Sequence, residues 1–149
     1  MRIVPASPTT DWQAVHALLV ASFAGMEGRI NPPSSLTRMA PADLASREAL
    51  LAEDQGLVGC IFLEARGECL YLSKLAVAPA RQGRGFARAL VEEAGRIARS
   101  RGLTRLELQT RIELAENHRT FARLGFAKTG ETAHPGFDRP TSITMDRAL

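Results

Sequence analysis

The stretch from Val77 to Leu90, VAPARQGRGFARAL, constrains this chain more than any other part of it. An apolar strand runs into Pro79. A short loop then carries Gly83 and Gly85 among basic residues, and an amphipathic helix follows at once. Glycine lets a backbone approach an anion with no side chain in the way. The first amides of a helix lack intrahelical partners and sit at the positive end of its dipole. Strand, glycine loop and helix start together make a pyrophosphate cradle. The question is which phosphate-bearing ligand it takes.

Three glycine motifs compete for this loop. A Walker A loop needs Lys and Ser/Thr after its last glycine, and neither follows here. A dinucleotide fingerprint needs Gly-x-Gly-x-x-Gly with an acid at the tip of the next strand. Gly83 and Gly85 fit, but Arg88 stands where the third glycine belongs, and Glu107 lies inside a strand between Leu106 and Leu108. The third pattern is Gln/Arg-x-x-Gly-x-Gly/Ala, met by Gln82, Gly85 and Ala87. On this loop, and on the preceding Leu75-Ala76-Val77-Ala78-Pro79, the chain resembles the GNAT family of N-acetyltransferases. Their loop binds the pyrophosphate of acetyl-CoA, and their fourth strand ends in this way.

At 149 residues, with 45% apolar and 23% charged residues, the chain has the size and composition of one globular domain. The opening MRIVPASP lacks the charged and apolar regions of a signal peptide. The apolar run from Ala14 to Met26 is too short to span a membrane. Cys60 and Cys69 fall in apparent strands around a turn near Ala65 to Glu68, where they would not face each other. They read as reduced core thiols of a cytoplasmic protein. No Cys/His spacing suggests a metal. The net charge of +3 comes almost wholly from arginine, since Lys74 and Lys128 are the only lysines. Those arginines are scattered among glutamates and aromatics make up only 5%. That pattern argues against nucleic acid as a partner.

The order of elements is legible along the chain. Arg2 to Ala6 reads as a strand. Thr10-Asp11-Trp12-Gln13 reads as a capping box with Thr10 as the cap, followed by Trp12, Val15, Leu19 and Phe23 at helical spacing. Glu27 to Pro41 reads as a loop with a short helix near Leu36 to Met39, and Ala49 to Ala52 leads into a turn at Asp54-Gln55-Gly56. Leu57 to Leu63 and Leu70 to Val77 are apolar on both faces, as strands covered by helices are. Alternation puts Val58, Cys60 and Phe62 on one face of the first strand, and Tyr71, Ser73, Leu75 and Val77 on one face of the second. Phe86, Leu90, Ala94 and Ile97 form the buried stripe of the helix after the loop, which Gly102 closes. Leu106 to Thr110 is a strand. Leu114, Phe121 and Leu124 mark a helix with a Schellman-type ending at Gly125-Phe126. Phe126 to Thr132 and Ser142 to Met145 are the last strands.

This order is similar to that of the GNAT fold over nearly the whole chain, most strongly from Leu57 to Phe126. The resemblance implies an α/β domain with a mixed, mostly antiparallel sheet of about seven strands and about four helices, splayed between the fourth and fifth strands. The tail from His134 to Thr141 resembles a subset of bacterial members. The implied activity is direct transfer of an acetyl group from acetyl-CoA to an amine of a small molecule, peptide or protein, with both reactants bound together. The pantetheine arm would pair with the backbone of Leu75, Ala76 and Val77. Gln82, Gly83, Arg84, Gly85, Phe86, Ala87 and Arg88 would hold the phosphates, with Asn117 and Phe121 beside the cofactor. Glu27, Arg29 and His134 fall where members build acceptor pockets. A homodimer is compatible with the sequence and not demanded by it.

One residue departs from the family's pattern. Members often carry a tyrosine at the position of Phe121, where it protonates the departing thiolate. Phenylalanine cannot. A thiol with a pKa of about 8.5 leaves tolerably well near neutral pH, and a general acid is typically worth roughly 10²–10⁴ in rate. Deprotonating an alkylamine of pKa ~10.4 at pH 7 costs about 4–5 kcal/mol, so a base matters more. Glu107 is the candidate base, set against the alternative of a solvent-facing or arginine-paired glutamate. Tyr71 is the candidate acid, set against that of a core aromatic. His118 reads as a surface residue, and Asp138 with Arg139 as either substrate contacts or a salt bridge pinning the tail. A non-catalytic acyl-CoA-binding module of the same fold is the alternative to the enzyme.

Overall fold

The computed structural model describes residues 1–149. Its frame is one sheet of seven strands in the order β1-β2-β3-β4-β5-β7-β6. The strands are β1 (Arg2–Pro5), β2 (Glu48–Glu53), β3 (Leu57–Arg66), β4 (Cys69–Val77), β5 (Arg105–Arg111), β6 (Ala127–Thr132) and β7 (Ser142–Ala148). The helices are α1 (Trp12–Phe23), α2 (Pro41–Leu44), α3 (Phe86–Ser100) and α4 (Ala115–Arg123). All strand pairs are antiparallel except β4 and β5, which the crossover through α3 makes parallel.

Both faces of the sheet are covered, which explains strands that are apolar on both sides. On one face Val15, Leu19 and Leu44 of α1 and α2 pack with Leu51, Cys60 and Phe62. On the other, Leu90, Val91 and Ala94 of α3 pack with Ile61, Leu70, Leu72 and Leu106, and the end of α4 adds Leu124. The helix ends follow local chemistry. Gly125 has φ +94°, Phe126 N donates to Phe121 O, and Gly125 N donates to Ala122 O, the paired bonds of a Schellman motif.

Three readings of the sequence are corrected here. Asp11, not Thr10, caps α1 by accepting from Ala14 N at 3.1 Å, while Thr10 Oγ1 accepts from Ser7 N one turn earlier. The segment before the Asp54 turn is a full strand, β2, paired on both edges. Strict alternation also fails in β3 and β4. A register shift opposite Ala52 and Glu53 turns Val58 to the α3 face and Leu57 to the α1 face. A second shift pairs Cys60 with Ala76 but Phe62 with Ser73, so Lys74 and Leu75 together face Ile61. That is a bulge in β4. Lys74 sits there at φ +50°, in the left-handed region.

Gly59 lies beside the first shift, where a Cβ would meet Ala76 O at 3.0 Å and Leu90 Cδ1 at 3.3 Å. The close approach of β3, β4 and α3 therefore needs glycine. Gly59→Ala is expected to lose about 1–3 kcal/mol of stability through overpacking. Gly25→Ala, whose Cβ would meet nothing within 4 Å, should stay within about 0.5 kcal/mol. Urea unfolding midpoints at constant slope compare the two.

Candidate acyl-transfer cleft

The glycine loop is built as its sequence implies. Gly83 has φ +79°, and Gly85, the residue before α3, has φ +87°. No side chain caps α3 and no acid lies in its first turn. Its leading amides are free for an anion. Gln82, Gly83, Gly85, Phe86 and Ala87 line a cavity of about 580 Å³. The Gln82 side chain donates to Val77 O at 3.2 Å and ties the loop to the end of β4. Arg81 pairs with Asp54 at 2.8 Å and ties it to the β2–β3 turn. Arg84 is exposed and lies off the cavity wall. Arg88 donates to Arg123 O at 3.3 Å at the end of α4 and also lies off the wall.

Beyond the loop, the sheet opens. The β4–β5 ladder runs only from Cys69–Arg105 to Leu72–Leu108. Past that point Ser73 to Val77 pair with β3 alone or bulge, and Gln109 to Arg111 pair with β7 alone. A cleft of about 280 Å³ occupies the divergence. It is lined both by Tyr71, Ser73 and Gln109 and by Leu72, Val91 and Leu108. Val91, Leu72 and Leu108 belong to the α3 face, so the cleft passes between the strands into the sheet. Phe23, Met26, Leu75, Leu114, Asn117 and Phe121 line both this cleft and the loop cavity. The two are halves of one channel.

The remaining sequence candidates fall at different distances from this channel. Leu75 lines both halves and Val77 the loop half, whereas Ala76 is buried in the α1-side core and offers only its backbone. Phe121 packs edge-on against Phe126 with ring centroids 6.1 Å apart. Tyr71 lines the cleft under the Arg66 guanidinium, 3.8 Å from its ring centre. Burial raises its hydroxyl pKa, opposed by Arg66. Glu107 is the register partner of Tyr71 but lies off the cleft wall. Its Oε2 is 3.6 Å from both Arg105 and Cys69 Sγ. The arginine-paired alternative for Glu107 is thus part of its geometry.

His134 lines the cleft, bonded through Nδ1 to Thr141 Oγ1. Burial, with help from Arg111, lowers its pKa. Arg29 pairs with Glu116 at 2.6 Å on the wall of the loop cavity, off the wall of the β4–β5 cleft. Glu27 lines, with Val20 and Ile30, an adjoining hollow that shares Phe23, Met26, Ser34 and Leu36 with the cleft. His118 is part-buried, not a free surface residue, with Nε2 3.0 Å from Arg111 O. Asp138 and Arg139 form no salt bridge with each other, and Arg139 instead lies over the Phe137 ring.

Two charged lining residues, Arg111 and Lys74, are among those that escaped the sequence reading. Arg111 donates to Pro32 O and Pro33 O, holding the proline loop against the cleft. Lys74 lines the cleft from the β4 bulge. Its signal in the sequence was a lone lysine in an apolar strand. The cysteines are free and buried, and neither lines the cleft. Burial pushes the Cys60 thiol up to about 12, and burial with the nearby Glu107 raises Cys69. Neither supplies a thiolate nucleophile near neutral pH. No helix is long and apolar enough to cross a membrane.

If these loop amides hold the cofactor's phosphates, Gly85→Val should weaken acetyl-CoA binding at least about tenfold, because a branched residue cannot keep the left-handed turn without strain. Arg88→Ala should leave affinity within about twofold, since its guanidinium serves α4. Calorimetric titration of both variants checks this, with circular dichroism to confirm that each folds.

Comparison with known proteins gives the channel its family. The model of the acetyltransferase (GNAT) family matches residues 12–126. No curated protein matches the chain. Among solved structures it is similar to the PaiA N-acetyltransferase of Thermoplasma acidophilum in complex with coenzyme A (17% identity, all of both chains, TM-score 0.80). It is similar as well to the ribosomal-protein-S18-alanine N-acetyltransferase of Escherichia coli (21% identity, 99% of this chain and 92% of that one, TM-score 0.71). A Bacillus subtilis acetyltransferase in complex with CoA is a third (18% identity, 99% and 98%, TM-score 0.70). At these identities the likeness speaks for the fold. With the match of the family model over most of the chain and the glycine loop at the mouth of a split sheet, the protein belongs to the GNAT acetyltransferase family.

Proposed function

We propose that this protein is an N-acetyltransferase that moves the acetyl group of acetyl-CoA directly to a primary amine, both bound at once. The observation that carries the reading is the single channel. It runs from the glycine loop, through the gap between β4 and β5, to a cleft lined by both polar and apolar side chains. A cofactor with its phosphates on the loop and its arm along Leu75 to Val77 would bring its thioester to the gap. The acceptor would approach from the side of Tyr71 and His134.

The amine nitrogen attacks the thioester carbonyl carbon. The new C–N bond forms as the C–S bond breaks, the amine gives up a proton, and CoA leaves as thiolate or thiol. With no thiolate of the protein available, transfer without an acyl-enzyme is the simpler course. Glu107, paired with Arg105 beside the cleft, would take the proton through water rather than by contact. The Tyr71 hydroxyl is the nearest sequence candidate for proton donation to the thiolate. Phe121, on the wall of both halves, can only pack.

Phe121 also favours the second reading, a module that binds acyl-CoA without turnover. Thiol release from acetyl-CoA over a panel of amines separates the two. The enzyme reading predicts amine-dependent release. Binding of acetyl-CoA without release on any amine supports the module. If Glu107 relays the proton, Glu107→Gln should lower kcat by about 10² or more with CoA affinity unchanged. An unchanged kcat removes Glu107 from that role.

A further inference from the structure

The acceptor cleft has a charge that the acetyl-transfer reading does not use. Its lining contains two basic side chains, Lys74 and Arg111, and no carboxylate. Arg111 has work of its own on the proline-loop carbonyls and has Glu113 nearby. Lys74 has neither. It takes part in none of the ion pairs, and its ammonium makes no hydrogen bond within the protein. The charge that most affects it is Arg47, of the same sign. Half-buried, its ammonium is held below the ordinary lysine range by burial and then by Arg47. A charge that is partly desolvated and unpaired is costly, and the cost falls when an anion arrives.

The bulge fixes where that charge stands. Lys74 occupies the extra position of β4, at the point where β4 and β5 stop pairing. The acetyl group is expected at this same point. An ammonium there repels an acceptor that enters as a simple cation, and no lining carboxylate draws one in. An acceptor with an anionic group beside its amine meets the opposite situation. Its anion pairs with Lys74, and the pairing orients the neighbouring amine toward the gap.

We propose that the acceptor is an amine carrying an adjacent carboxylate or comparable anion, of the α-amino acid type, and that Lys74 is the residue that selects it. This rests on the acetyl-transfer reading for the identity of the other reactant. Polyamines and plain alkylamines are then poor acceptors, despite their greater basicity.

The test uses protein saturated with CoA itself, so that binding is read without turnover. It is titrated calorimetrically with leucine and phenylalanine, with isopentylamine and phenethylamine as their decarboxylated counterparts, and with spermidine. Each amino acid should bind at least about tenfold more tightly than its counterpart, and spermidine should not compete. Lys74→Met should erase the preference, and Lys74→Arg should keep most of it. Equal or tighter binding of the plain amines or spermidine overturns the proposal. So does a preference that survives in Lys74→Met, or the absence of binding by every member. The acetyl-transfer reading fails in a different way: amino acids bind, yet acetyl-CoA releases no thiol in their presence.

Discussion

A parallel pair of strands that stops pairing halfway leaves backbone donors and acceptors without partners inside a protein, and such groups are expensive when dry. Here the ladder between β4 and β5 ends at Leu72 and Leu108. Each strand keeps its other neighbour, so the sheet does not come apart. The bulge at Lys74 bends β4 away, and the α3-side core continues beneath the gap through Val91 and Leu108. The opening is thus part of the packing, and a molecule with its own amide groups can enter it and complete what the strands leave unmade. Glycine loop, channel and acceptor cleft all take their positions from this divergence.

The two ends of the channel work by different physics. The loop end relies on backbone, through left-handed glycines and the unpaired amides of a helix start, with side chains such as Gln82 and Arg81 only holding the loop in place. The cleft at the β4–β5 gap is lined by side chains, among them Lys74, which has no ion-pair partner within the protein. Between them Arg29 and Glu116 join the segment after α1 to the start of α4 across the loop cavity. Both are about half exposed, so water screens the pair and it holds the two segments only weakly.

The sequence was most legible where local chemistry decides the structure. The loop, α3 and the Schellman end of α4 were readable because glycine at positive φ and an amphipathic period leave direct marks in the residues. Strand faces were less so. Alternation assigned Val58 and Leu57, and likewise Leu75 and Val77, to the wrong sides, because two register shifts alter the count and each is set by pairing with the neighbouring strand rather than by the strand's own alternation. The same limit hid Lys74, whose place in the cleft depends on the second shift. The tethers of Arg88 to Arg123 O and of Arg111 to the proline-loop carbonyls are contacts across the fold that no spacing encodes, whereas Arg105 and Glu107 sit two apart on one strand. Motif reading located the loop end of the channel, and the lining of the cleft at the β4–β5 gap had to come from tertiary structure.

The central claim is that the gap between β4 and β5 is the cofactor's seat. Amide hydrogen exchange tests it most directly, comparing the free protein with protein saturated by acetyl-CoA or by NAD. Acetyl-CoA should slow exchange in two segments together, Ser73 to Val77 on the open edge of β4 and Gly83 to Ala87 in the loop, and NAD should slow neither. Protection confined to the loop, or the same protection from NAD, would contradict the account.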